Sequence, residues 1–384
     1  MKKFFHYIFL LLLVLGVISL IIFPKNSLEA AKNGIDLWLF TVTPALLPFF
    51  IGSELLLQFG IVNLLGKLLE PIMKPLFNVS GSGSFPMAIG YTSGYPVGAQ
   101  IISRLWEEKL CTTIEAERLM SFCNNSGPLF MLGVVGTGMF NNSKIGYIIM
   151  SANYLGAICT GILFRNYKFS KKTKYPDAYN KKVENNVIRK NFGNILSDAI
   201  KSSMNTIFLI GGYIIIFSVL IEYLKLFNII YILSNLIYPI FKVLGFHKEI
   251  LPGFISGLME ITVGSKLISQ SAAPLYQKII IVSIILSWGG FSTHGQVISI
   301  ISNTKISYLP YLFSKIINSI FTAFYSYIIL LFVKVREEQN VTVFNQYNIN
   351  IVFNILQLSL YIFTITVLIF VLISLLIKTI AKGT

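Results

Sequence analysis

The chain is short of the residues that metal sites and disulfide frameworks need. Its three cysteines, Cys111, Cys123 and Cys159, show no CxxC spacing, and its three histidines are scattered along 384 residues. A disulfide framework, a structural zinc site and a bound metal are therefore not expected. The sequence also shows no pairing of a nucleophile with a base, so an intramembrane enzyme is the weakest functional hypothesis. No cofactor is expected.

Charge is also scarce, since only 12% of the residues are Asp, Glu, Lys or Arg, whereas 54% are apolar. A mean hydropathy of +0.72 excludes an ordinary soluble domain and predicts an all-α, polytopic membrane protein whose first partner is the lipid bilayer. The net charge of +15 comes with no nucleic-acid-binding motif, so basic cytoplasmic loops explain it better than a nucleic-acid partner.

Apolar windows long enough to cross a bilayer predict about eight spans. They are residues 4–23, 35–58, 118–140, 144–164, 198–223, 275–300, 308–333 and 351–377. The first window follows Lys2 and Lys3 as a signal peptide would, but it is long and the cleavage site after it is weak, so we expect an uncleaved span.

Two further apolar stretches have glycines at their centres and predict re-entrant hairpins. They are residues 85–106, with Gly90, Gly94, Pro96 and Gly98, and residues 252–270, with Gly257 and Gly264. Two half-helices of about ten residues each reach only about half of a 30 Å hydrocarbon core. A shorter segment precedes each hairpin, residues 62–77 and 229–246, and predicts an interfacial amphipathic helix.

Two of the predicted spans are interrupted by polar residues, glycine and proline. The first break is SFCNNSGPLF, residues 121–130, and the second is SWGGFSTHGQ, residues 287–296. When the two breaks are aligned, Phe122 falls on Trp288, Ser126 on Ser292 and Phe130 on Gln296. Matching breaks in two halves of a chain are the best sequence indication of a carrier's midplane binding site.

Charge supports this topology and places both termini in the cytoplasm. If neither hairpin crosses, about two thirds of the 31 Lys and Arg residues collect on one side, which should be cytoplasmic. Each half then contains three crossings, so the second half is inverted relative to the first. The predicted units are a first span (1–34), a first repeat (35–164), a basic linker (165–197), an inverted second repeat (198–333) and a C-terminal loop and span (334–384).

Freed backbone and polar side chains at the breaks and hairpin tips form the candidate substrate site. Half-helix N-termini meeting in one cavity favour a small anion. The candidate substrate-binding residues are Ser93, Gly94, Asn124, Asn125, Ser126, Gly127, Thr262, Lys266, Ser292, Thr293, His294 and Gln296.

Several of these residues keep a second interpretation. Asn124, Asn125 and the two aligned serines are also suited to bonds between helices, His294 to packing, and Lys266 to snorkelling at the interface. Glu260 is expected to bind a coupling ion or proton, or else to pair with Lys266. Glu107, Glu108, Glu115 and Glu117 are expected on a solvated cytoplasmic face.

Four motifs carry a family resemblance, in this order along the chain: SGYPVGA (93–99), NNSGPLF (124–130), GLMEITVG (257–264) and GGFSTHGQV (289–297). From residue 35 to 333 the chain resembles the YlbJ-type sporulation integral membrane proteins, which are nucleoside recognition or Gate-domain proteins of endospore formers. The resemblance implies movement of dipicolinate, a flat aromatic dianion, across the mother-cell-derived outer forespore membrane.

The wider Gate group looks like the concentrative nucleoside transporters, whose hairpins and broken helices form sodium and nucleoside sites. This chain lacks several of the acidic residues that hold base and ribose there, which argues against nucleosides and against sodium coupling. Three functions stay open: an organic-anion carrier, a cation-coupled nucleoside transporter and a non-transporting assembly factor of the spore envelope. The coupling ion, the direction of flux and assembly into a homo-oligomer are also open.

Overall fold

The computed structural model describes residues 14–59, 69–168 and 192–333, together with Val335 and Gln357. Within these ranges all regular structure is helical, which confirms the all-α prediction. The α-helices are α1 Pro24–Asp36, α2 Thr43–Gln58, α3 Ser84–Ser93, α4 Val97–Glu107, α5 Thr113–Cys123, α6 Ser143–Phe164, α7 Phe192–Leu226, α8 Ile229–Val243, α9 Leu251–Met259, α10 Ile261–Gln270, α11 Leu275–Trp288, α12 Gly290–Ile301 and α13 Tyr308–Phe332. Short π-helical segments are Leu37–Val42, Met73–Phe77 and Phe130–Met139.

Five stretches of the described chain are long and apolar enough to cross a membrane. They are Pro24–Gly52, Ser143–Phe164, Phe192–Leu226, Leu275–Ile301 and Tyr308–Phe332. The predicted span 118–140 is present as two shorter helical pieces separated by the first break. Residues 351–377, apart from Gln357, and most of the predicted linker 165–197 lie outside the described residues, so the total of eight spans stays a prediction.

The chain between the first two predicted spans is helical. Pro24 occupies the first turn of α1, where its missing N–H is not needed, and α1 continues through a π-helical turn into α2. Trp38 Nε1 donates to the carbonyl of Ile207 at 3.0 Å, which ties this helix to α7. Packing against α7 stabilises the helix there.

Both hairpins fold back on themselves, as predicted. In hairpin 1, formed by α3 and α4, Ser82 Oγ donates to the carbonyl of Leu110 at 3.0 Å and so joins the two ends of the hairpin. In hairpin 2, formed by α9 and α10, Gly253 lies against Ile268, with 2.6 Å between an added Cβ and its Cγ1. The start of α9 therefore contacts the end of α10, and neither hairpin passes through the bundle.

The two halves are inverted, because their matching helices α6 and α13 run in opposite directions. Just after α6, the carbonyl of Tyr167 accepts from Arg118 Nε at 3.0 Å and Nη2 at 2.6 Å. Just before α13, the N–H of Ser307 donates to Glu117 at 3.1 Å. The end of one helix and the start of the other thus contact neighbouring residues in the middle of α5.

The buried acidic residues of α5 correct the expectation of a solvated face. Glu107 and Glu108 are exposed, but Glu115 and Glu117 are only 1% and 2% exposed. Glu115 forms a capping box with Thr112 that starts α5, and its carboxylate also accepts from Ser80 N at 2.8 Å. Charge patterning along one helix did not reveal these partners, because one of them, Ser80, lies in the loop before hairpin 1.

Helix α8 covers one of the two segments predicted as interfacial helices, and its place at the interface stays a prediction. It is amphipathic, with Ile230 and Ser234 buried and Leu236, Ile240 and Val243 strongly exposed. A helix with such an apolar outer face suits the boundary between headgroups and acyl chains. The other predicted interfacial helix, residues 62–77, lies partly outside the described residues, and its described part is helical up to Phe77.

Candidate functional site

The tip of hairpin 1 rests on the first break. Gly94 has φ +82° and lies against the backbone of Gly127, so the tip needs a residue without a side chain there. The hydroxyl of Tyr154 donates to the carbonyl of Tyr91 at 2.7 Å and lies 3.4 Å from the carbonyl of Ser126. Hairpin 1 and the break are thereby held together by backbone contact and by one phenol.

The tip of hairpin 2 rests on the second break in the same manner. Gly289 and Gly290 both have positive φ, which ends α11 and starts α12 without a connecting loop. A Cβ on Gly290 would lie 3.1 Å from the carbonyl of Met259, and Trp288 Nε1 donates to the carbonyl of Leu258 at 3.2 Å. The backbone of α9 therefore supports the break directly.

Tyr95 joins the two assemblies into one site. Its hydroxyl donates to the carbonyls of Leu286 and Ser287, at 3.2 and 3.4 Å, and its ring lies beside Gly289. The tip of hairpin 1 in the first half therefore contacts the second break directly.

A cavity of about 70 Å³ opens where the tips and breaks meet, which is several times the space that one water needs. One wall is apolar or aromatic and comes mainly from α2 and α7. The opposite wall is polar and contains eight of the predicted residues: Ser93, Ser126, Gly127, Glu260, Thr262, Ser292, Thr293 and Gln296.

Most of these polar residues stand at the beginning of a half-helix. Ser126 and Gly127 precede the helical turn at Pro128, Thr262 is in the first turn of α10, and Ser292 is in the first turn of α12. Helix N-termini carry unpaired N–H groups and partial positive charge, so this wall is suited to an anion.

Glu260 forms the tip of hairpin 2 and caps α10. It is 4% exposed, and its carboxylate accepts from Val263 N at 2.7 Å and from Thr262 Oγ1 at 3.1 Å. Both donors belong to its own hairpin, so the expected pairing with Lys266 is not the arrangement observed. Lys266 itself is half-buried on α10 and is not among the residues that line the cavity.

His294 is placed by the structure as a packing residue between the second break and α13. Its Nε2 lies 3.1 Å from the carbonyl of Trp288, and its Nδ1 lies 2.7 Å from the hydroxyl of Tyr308. Because a carbonyl only accepts, Nε2 carries the hydrogen and Nδ1 accepts from Tyr308. Both ring nitrogens are thus used, and His294 does not line the cavity.

Asn124 and Asn125 also lie behind the cavity wall, where they bind Lys315. The amine of Lys315 donates to the carbonyl of Asn124, to Oδ1 of Asn125 at 3.2 Å and to the hydroxyl of Tyr95 at 3.3 Å. Lys315 is not among the residues predicted from the sequence, although a single lysine inside the apolar window 308–333 is itself a sign of a functional site.

The described part of the chain offers no cluster of three or more His, Cys, Asp or Glu side chains that could hold a metal ion. What the arrangement provides is a small compartment with an apolar wall, several helix N-termini, one carboxylate and a buried amine behind it. These features define a membrane protein built from paired hairpins and broken helices around a central compartment.

The family model for Gate, described as nucleoside recognition, matches residues 39–163 and 207–335, and the chain belongs to this family. A curated relative, the sporulation integral membrane protein YlbJ of Bacillus subtilis (strain 168), is 40% identical over 327 residues. The match covers 82% of this chain and 79% of the relative. The protein is therefore an integral membrane protein of the YlbJ sporulation family.

Solved structures of CNTnw share the fold. A CNTnw variant in an intermediate state has a TM-score of 0.56 at 17% identity, covering 82% of this chain and 85% of that one. CNTnw in an inward-facing, substrate-bound state has a TM-score of 0.52 at 15% identity, covering 82% and 86%. At these identities the likeness defines the architecture and leaves the ligand to be argued from this chain's own residues.

Proposed function

We propose that the protein is a membrane carrier for a small organic dianion, and that the dianion is dipicolinate crossing the outer forespore membrane. The observation that carries this proposal is the cavity in which both hairpin tips and both helix breaks meet. Carriers with inverted repeats bind their cargo at such a place, near the middle of the bilayer.

The chemistry of the walls supports a flat aromatic dianion. Phe49, Phe50 and Tyr213 offer an apolar surface to a ring, whereas Ser126 and Ser292 offer hydroxyls beside half-helix N-termini to carboxylates. The two serines stand at matching positions of the inverted halves, so a ligand with two carboxylates can engage both in the same way. Lys315, one hydrogen bond behind the wall through Tyr95, adds positive charge.

Glu260 is proposed to carry the coupling proton. It lines the cavity and is buried, and its described contacts include no cationic partner. Protonation of this carboxylate would remove a negative charge from a compartment that receives an anion. Binding of the anion and binding of a proton would then favour each other.

Uptake into proteoliposomes tests the substrate. Purified protein should accumulate labelled dipicolinate above the level of protein-free vesicles, and unlabelled dipicolinate should compete. Isophthalate, which has the same two carboxylates without the ring nitrogen, shows how much of the recognition rests on the dianion alone. Dipicolinate uptake equal to that of empty vesicles would remove the substrate assignment.

A nucleoside is the second candidate cargo, because the matching family model is described as nucleoside recognition and the solved neighbours are structures of CNTnw. Excess uridine in the same vesicles distinguishes the two. We expect no competition, because the cavity presents a single carboxylate, Glu260, which is already bonded within its own hairpin, for the hydroxyls of a ribose.

A further inference from the structure

Lys315 is the least expected charged residue of the structure. It lies in the first third of α13, 0% exposed, 191 residues along the chain from Asn124. The three N–H groups of an ammonium find three oxygen acceptors, on Asn124, Asn125 and Tyr95. Its Nζ also lies 5.1 Å from the ring centre of Tyr95 and 5.4 Å from that of Tyr311. This is a complete coordination shell for a cation.

None of these partners carries a charge. The described ion pairs join Arg104 to Glu108, Lys168 to Glu117 and Lys225 to Glu222, and the amine of Lys315 takes part in none of them. Its oxygens come from a freed backbone carbonyl, an amide and a phenol.

The position of the ammonium within the first break explains this choice of partners. Asn124 follows the last residue of α5, so its carbonyl belongs to the C-terminal end of a half-helix, which carries partial negative charge. In carriers with broken helices, such carbonyls and C-terminal ends coordinate the dissociable coupling cation. Here the same kind of oxygen cluster is filled by a side chain of the opposite half.

We infer that the ammonium of Lys315 is a tethered cation that takes the place of a dissociable coupling cation at the first break. It holds the break and the hairpin 1 tip in their binding geometry and places its positive charge behind the cavity. The inference deepens the proposed carrier function, since it predicts anion binding that requires no sodium at this break.

Ion-dependent stability tests the inference without transport. Lys315→Ala removes the amine and leaves both the oxygens and the space, so methylammonium, ethylammonium or Na⁺ should raise its unfolding midpoint with the logarithm of concentration. Choline is too large to enter and should have no effect. Lys315→Met fills the space without charge and should respond to none of these ions, and neither should Lys201→Ala, an exposed control on α7.

Two results would overturn the inference. One is a Lys315→Ala protein that folds and is indifferent to every small cation. The other is obtained on the wild type, so it applies even if the variant does not fold: a midpoint raised specifically by NaCl over KCl or choline chloride at equal ionic strength would show that the break still binds a free ion.

Flux provides a separate measurement. Wild-type dipicolinate uptake should be the same in sodium, potassium and choline buffers, and a requirement for sodium would contradict the tethered cation. If no dipicolinate moves under any condition, the substrate proposal fails, while the stability measurements still decide the role of Lys315. The two hypotheses can therefore fail independently.

Discussion

Replacing Glu260 by two different residues separates its structural role from its proposed role in coupling. The carboxylate caps α10 by accepting from Val263 N at 2.7 Å and from Thr262 Oγ1 at 3.1 Å. Glu260→Ala removes both acceptors inside a buried tip. Loss of an N-cap costs about 0.5–2 kcal/mol, and a buried donor without a partner costs about 1–3 kcal/mol, so we expect about 2–4 kcal/mol of destabilisation.

Glu260→Gln retains one carbonyl oxygen at the same place. That oxygen can still accept from Val263 N, and the hydroxyl of Thr262 can rotate to accept from the new amide. We therefore expect a loss of less than about 1 kcal/mol, since the number of hydrogen bonds at the tip is unchanged. The two variants should have clearly different unfolding midpoints in detergent, with the glutamine variant close to the wild type.

Transport measurements then test whether Glu260 carries the coupling proton. A carrier that moves a dianion together with a proton should be accelerated by an imposed proton gradient in the direction of the gradient. Glu260→Gln cannot take up a proton, so its flux should lose this response and its dependence on pH while binding is retained. A glutamine variant with the pH profile of the wild type would refute the coupling role, and one as unstable as the alanine variant would show that the fold needs the charge itself.

Two further substitutions test the cavity and the hairpin tip. Ser126→Ala combined with Ser292→Ala removes two hydroxyls from the polar wall, at about 0.5–1.5 kcal/mol each, so the KM for dipicolinate should rise about tenfold. The exposed control Ser202→Ala should leave the KM unchanged, and an unchanged KM in the double variant would show that the two hydroxyls do not bind the cargo. Gly94→Ala places a side chain at φ +82° against the first break, so both stability and flux should fall. Gly245→Ala has a similar φ, +78°, but open space around it, so its flux should stay normal if contact at the tip is what matters.

The sequence predicted the site well where the signal is local. Glycine, proline and polar residues within an apolar run mark a break at its own position. This is why the sequence located both hairpins and the breaks at which Ser126 and Ser292 line the cavity. The alignment of the two breaks indicated the repeat, and the three crossings predicted for each half indicated its inversion. Local sequence patterns therefore predicted the hairpins, the breaks and most of the residues in the polar cavity wall.

Contacts between distant parts of the chain were not predictable in this way. Asn124 and Asn125 have the composition of ligand-binding residues, but they bind Lys315 from the other half of the chain. Glu117 has the surroundings of a surface residue in sequence, but it is covered by the start of α13. In each case the partner is far away in sequence, so the pattern of residues within one helix cannot predict the contact.

The chemistry of the two halves differs more than their shape. When the two breaks are aligned in sequence, Gly94 corresponds to Glu260 and Ile149 corresponds to Lys315. The carboxylate of Glu260 and the amine of Lys315, which are the charged groups described at the cavity, therefore both belong to the second half. Lys315 nevertheless binds oxygens of the first half only. Hydrogen bonds to a charged group contribute about 1.5–3 kcal/mol each, so separating α13 from the first break would cost several kcal/mol. For the proposed carrier we therefore predict that α13 moves together with the first break and hairpin 1, so that the boundary between moving bodies differs from the boundary between the sequence repeats.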